Sequence, residues 1–80
     1  MFGYRVRMPS CSFRFTDLPY RLTERLKPVL VSQGNPAIYV RQTDDRVEFT
    51  GGGESEFTLR ARAAEALSDV WPAWKDQLVD

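Results

Sequence analysis

The chain has 80 residues and a mass of 9.2 kDa, with 11 Lys+Arg against 11 Asp+Glu, no His and one Cys. At this mass roughly 60–65% of the unfolded surface is buried on folding, which allows one small core and a single domain over residues 1–80. A lone Cys excludes an internal disulfide, the missing His excludes Ser-His and Cys-His dyads, and no zinc site of the usual Cys/His kind can be built from this chain alone.

Apolar residues make up 42% and charged residues 28%, ordinary globular usage that argues against disorder along the whole chain. No apolar run approaches the ~20 residues that span a bilayer, so no membrane partner is expected. Arg5 and Arg7 are not followed by the apolar stretch of a signal peptide. A reducing, cytoplasmic setting is therefore expected.

From the N-terminus, Tyr4, Val6 and Met8 alternate with Arg5 and Arg7, the pattern of a half-buried strand over Gly3–Met8. Pro9-Ser10-Cys11 reads as a turn. Ser12–Thr16 alternates again, with Phe13 and Phe15 inward and Arg14 outward, so the two runs predict a hairpin. Asp17 is placed to cap a helix, with Pro19 in its first turn, where a missing N–H costs little. Leu18, Leu22, Leu26, Val29 and Leu30 then recur at helical spacing until Gly34-Asn35-Pro36 stops them. Pro28 lies inside that stretch and predicts a kink or an early end, because it cannot donate to the carbonyl of Glu24. The rival reading makes Pro28–Ser32 a strand, hairpinned to Ala37–Val40.

Ala37–Gln42 predicts a strand with Ile38 and Val40 inward and Tyr39 and Arg41 outward. Thr43-Asp44-Asp45 turns the chain into a strand over Arg46–Thr50, with Val47 and Phe49 inward. Gly51-Gly52-Gly53 reverses it again, since Gly tolerates positive φ. Phe57 and Leu59, alternating with Glu56 and Thr58, suggest one more short strand. From Arg60 the period becomes helical: Ala63, Ala64, Leu67, Val70, Trp71, Trp74 and Leu78 share one side, opposite Arg62, Glu65, Asp69, Asp76 and Asp80. Pro72 predicts a kink in that helix. The expected fold is α+β: one two-layer domain with an antiparallel sheet of about four to five strands and two amphipathic helices on one face, in the order ββαβββα.

Few residues carry chemistry. Cys11 has Arg14 nearby, the kind of positive neighbour that activates a thiolate. No His is present as a base, and Asp17 stands where a phosphatase-type loop needs Arg, so a small structural residue is the simpler account. The glycine run follows a strand as phosphate-cradling loops do, but lacks their Lys, and Glu54 and Glu56 would repel a phosphate. Asp44, Asp45 and Glu48 fall short of a calcium loop's set of oxygens. Trp71 and Trp74 suit an aromatic cage or the core, and a domain this small needs the core area. Tyr20 and Val31 project opposite Leu22 and Leu26 and form a candidate secondary interaction patch. No catalytic residue, metal site or cofactor is expected, and the chain reads as a non-enzyme.

The most informative constellation is the outer face of the sheet. If the apolar strand residues point inward, pleating sends Arg5, Arg7, Arg14, Tyr39, Arg41 and Arg46 outward, with Glu48 and Glu56 towards one side. Arg is the planar, forked cation suited to carboxylates, phosphates and stacking. The ordinary alternative is a solvated face kept polar against aggregation. Overall neutrality hides an asymmetry: residues 1–42 carry a net +5 and residues 43–80 a net −5.

The expected function is that of a small protein-binding module, an inhibitor, adaptor or accessory subunit of bacterial or phage type. Its Arg-rich sheet face would meet an acidic partner surface. A homodimer pairing the basic face of one copy with the acidic surface of another belongs to the same class. The alternative is nucleic-acid binding, with the same arginines on phosphates and Tyr39 stacked on a base. Zero net charge argues against it. Arg46-Val47-Glu48-Phe49-Thr50-Gly51 also lacks the basic, glycine and alternating-aromatic string of the RNA-recognition fold.

Overall fold

The alternating runs become the sheet. The computed structural model describes residues 8–51 and 55–79. β1 (Ser10–Phe15) turns Cys11, Phe13 and Phe15 inward, β2 (Ile38–Gln42) turns Ile38 inward, and β3 (Arg46–Gly51) turns Val47 and Phe49 inward. A short β4 (Leu78–Val79) completes an antiparallel sheet in the order β2-β3-β1-β4. α1 (Leu22–Ser32) and α2 (Glu56–Val70) cover the inward side, α2 over β1 and β3 and α1 beside β2. One turn of helix, α3 (Trp74–Gln77), leads into β4. This is the expected α+β domain, with the order βαββααβ among the described residues rather than ββαβββα.

The core lies between the layers. Leu22, Leu26 and Leu30 of α1 and Leu59, Ala63, Ala66 and Leu67 of α2 close over Phe13, Val47 and Phe49. The Phe13 ring meets Phe49 edge-on at 5.9 Å and Trp74 at 5.7 Å, the arrangement that ring quadrupoles favour. Trp74 is therefore core, while Trp71 is half-buried against Phe15.

Several boundaries differ from expectation, each for a physical reason. The strand expected over Gly3–Met8 lies outside the described residues apart from Met8, which is exposed. Ser10 and Cys11 belong to β1 rather than to a turn, and the carbonyl of Pro9 already accepts from the N–H of Gly51. Pro is tolerated at the start of a strand, and Cys11 extends the inward set of Phe13 and Phe15.

Asp17 does not cap α1 and Pro19 precedes it. The helix starts at Leu22, entered through Arg21 in the left-handed region at φ 56°. The side chain of Gln42, reaching over from β2, accepts from the N–H of Thr23 at 3.2 Å and donates to the carbonyl of Pro19 at 3.1 Å. A tertiary contact thus replaces the local cap. Pro28 does not end the helix, and the strand reading of Pro28–Ser32 falls with it. Pro28 sits on the exposed side, where water can satisfy the carbonyl left without a donor. The helix closes on a Schellman pair, Asn35 N–H to Leu30 carbonyl and Gly34 N–H to Val31 carbonyl, with Gly34 at φ 81°.

The strand expected around Phe57 and Leu59 is the first turn of α2. Ser55 caps it by accepting from the N–H of Thr58 at 3.1 Å, and Leu59 then joins Ala63, Ala66 and Leu67 at helical spacing. At the other end Pro72 breaks the expected long helix rather than kinking it. α2 stops at Val70, because the residue before a proline is driven out of helical backbone, and Trp71 sits at φ −144°, ψ 79°. Leu78, expected on the apolar side of that helix, instead lies in β4 opposite Phe15.

Candidate functional site

The site is built by the sheet register. No described helix covers the side of the sheet opposite α1 and α2. On that side β2 presents Tyr39 and Arg41, β3 presents Arg46, Glu48 and Thr50, and β1 presents Ser10, Ser12 and Arg14. Of the expected face, Arg14, Tyr39, Arg41 and Arg46 stand together there, while Arg5 and Arg7 lie outside the described residues. Tyr39 is 67% exposed.

Register also brings acids onto this face. Arg41 stands opposite Glu48, and the two form an ion pair at 2.7 Å. Glu48 is thus central rather than to one side. Arg14 stands directly opposite Arg46, a like-charge pairing that is unfavourable by itself. The Asp45 carboxylate relieves it, accepting from Arg14 Nε at 3.0 Å and lying 4.0 Å from Arg46 Nε. All these pairs are open to water, where such contacts are worth about 0–1 kcal/mol each. A carboxylate from elsewhere can therefore displace Asp45 or Glu48 at small cost.

Asp44, Asp45 and Glu48 do not gather as cation ligands, since Asp45 and Glu48 are turned to arginines. No cluster of three or more such ligands occurs among the described residues. Tyr20 precedes α1 and carries Arg21 over its ring at 5.2 Å. Val31 is near the other end of α1, roughly 15 Å away along the helix axis, so the two are separate exposed apolar residues. Val31 instead shares a groove with Lys27, Pro36 and Tyr39, between α1 and the outer edge of β2. Sequence reasoning missed that contact because it joins a helix and a strand across the Gly34–Pro36 loop. It also missed Asn35, which is buried and accepts from Arg62 of α2.

Cys11 is buried in β1, and burial pushes its thiol above the ordinary value. Arg60 pulls the other way and Glu56 adds to the rise. The folded chain therefore holds this proton to higher pH than the unfolded chain does. The contribution is fully present below the unfolded thiol value, about 8.5, and is lost as pH rises from there through the raised folded value. Unfolding in urea at a series of pH values should show a steeper alkaline loss of stability in the wild type than in Cys11→Ala. Equal slopes would mean that the thiol is not held protonated by the fold.

Comparison with known proteins supplies no relative: no family model, no curated protein and no solved structure matches the chain. No helix among the described residues is long and apolar enough to cross a membrane.

Proposed function

We propose that the chain is a small protein-binding module, acting as an inhibitor, adaptor or accessory subunit, and that the open sheet face is where its partner docks. Tyr39 and Arg41 on the outer strand β2, with Arg46 and Arg14 paired at the other end of β3 and β1, would supply the contacts of that face. The observation that carries the reading is an exposed tyrosine on a sheet face that no described helix covers, shared with arginines whose carboxylate partners are solvent-exposed and exchangeable. Tyr and Arg are the side chains that most often anchor interfaces. A partner surface bearing Asp or Glu would take over the guanidinium forks of Arg14, Arg41 and Arg46, which favours orientation and on-rate more than raw affinity.

The same arginines argue less well for nucleic acid. Two carboxylates already share the face with three described arginines, so few phosphates can be neutralised there. The test is affinity capture from the native host with the wild type and with a Tyr39→Ala, Arg41→Glu double variant, both checked for fold by circular dichroism. The protein partners of the wild type should be lost from the variant. If the variant retains the same proteins, the sheet face is not the interface. Retention of a generic oligonucleotide at low salt, lost steeply as salt rises, would move the reading to nucleic acid.

A further inference from the structure

Among the described residues, the sheet has an edge that its strands leave half open. Along β1 the N–H of Phe15 donates to Asp45 and the carbonyl of Pro9 accepts from Gly51, so the odd-numbered residues bond to β3. On the other side the N–H of Thr16 donates to Gln77, and β4 pairs with Arg14 and Phe15 only. Antiparallel pairing alternates sides residue by residue. The N–H and carbonyl of Ser10 and Ser12 therefore point to the β4 side, where no described strand meets them.

Beneath that edge, on the helix side, lies an apolar groove lined by Phe57, Ala61 and Ala64 of α2 with Trp74 and Leu78. Phe57 is 85% exposed and Leu78 39% exposed. The groove opens into a notch beside Ser12 and Val79, where Arg14 and Arg46 arrive from the outer face and Arg60 from the inner one. Arg60 lies over the Phe13 ring at 5.0 Å and forms no ion pair with a described carboxylate, and Asp45 is the only described acid paired with the other two. Among the described residues, backbone without a strand partner, an apolar floor and more positive than negative charge thus meet in one place.

We propose that the β1 edge beyond β4 receives an extended segment of a partner protein as an added strand, one in which apolar and acidic residues alternate. An added strand would extend the line of β4. Its side chain opposite Cys11 would turn inward onto the Phe57 groove, and the one opposite Ser12 would turn outward beside Arg14 and Arg46. Backbone bonds to Ser10 and Ser12 supply the docking, the apolar side chains cover Phe57 and Leu78, and carboxylates answer the three arginines. The inference rests on the reading of the chain as a protein-binding module and names the form of its partner.

The probe is a fluorescein-labelled hexapeptide of alternating Val and Glu, titrated against the full chain by anisotropy. Three comparisons go with it: a Val–Lys hexapeptide, the Val–Glu peptide with alternate amides N-methylated, and a single-stranded oligonucleotide. The Val–Glu peptide should bind at least tenfold more tightly than the other two peptides, and the amide resonances of Ser10 and Ser12 should shift on binding. Ser12→Pro removes an N–H that the β1–β3 ladder does not use, so the fold should survive and peptide affinity should fall at least tenfold. Phe57→Asp, on an exposed helix position, should do the same without touching the sheet. Equal binding of the three peptides, or wild-type affinity in Phe57→Asp, overturns the proposal. So does an oligonucleotide that competes for the same edge. If capture still depends on Tyr39 and Arg41 while the peptide fails to bind, the edge alone is wrong and the module reading stands.

Discussion

Phe49→Ala is expected to cost about 3–5 kcal/mol, the range for truncating a large buried aromatic. The side chain is fully buried on β3, the strand flanked by β2 and β1, and its ring packs edge-on against Phe13. Removing it leaves a cavity in the core that Leu59 and Leu67 of α2 help to form. An 80-residue domain has only about 4–12 kcal/mol of stability to lose. The midpoint of thermal unfolding should therefore drop by roughly 15–30 °C, read by circular dichroism. A drop of only a few degrees would mean that β3 is not the middle of the core.

The pleat was the most legible part of this molecule. Ile38, Tyr39, Val40 and Arg41 alternate without interruption, as do Val47, Glu48 and Phe49, so a period of two assigns each side chain a face. That is why the outward set of Arg14, Tyr39, Arg41 and Arg46 could be named before any register was known. What pleating cannot supply is which outward residue faces which. The pairing of Arg41 with Glu48, and the sharing of Asp45 between Arg14 and Arg46, come from strand order and register. The expected strongly basic face is for that reason a mixed one.

Helix ends were harder to read because the groups that decide them are distant in sequence or conflict with the apolar pattern. α1 starts where Gln42 reaches over from β2, nineteen residues from Thr23. At Trp71-Pro72-Ala73-Trp74 the apolar residues keep helical spacing across the proline, so periodicity predicts continuity where backbone chemistry forbids it. β4 has two residues, too few to show a period of two at all. Its consequence, an edge of β1 paired at Arg14 and Phe15 but met by no described strand at Ser10 and Ser12, was beyond any local reading.

Gly51→Ala should be the most damaging single change at a turn, and it reaches the candidate site directly. Gly51 ends β3 at φ 104°, a region that side chains of L-residues rarely adopt. A Cβ placed there would stand 2.8 Å from the carbonyl oxygen of Ala37, 3.2 Å from Met8 Cε and 3.4 Å from Tyr39 Cδ2. The methionine end can swing away, but the carbonyl belongs to the backbone leading into β2 and can yield only by shifting the strand. Positive φ alone costs about 1–2 kcal/mol, and forcing the backbone apart brings the expected loss to about 2–4 kcal/mol. Gly34→Ala separates the two contributions: it sits at φ 81° with nothing within 4 Å, so only the conformational cost of about 1 kcal/mol applies. Urea unfolding of both variants gives the comparison. The Gly51 variant should also move the ring resonances of Tyr39, because the added methyl would lie against that ring at Cδ2. Equal losses in the two variants would show that β2 gives way freely at Ala37, and that Tyr39 is less firmly placed on the sheet face than its register with Thr50 implies.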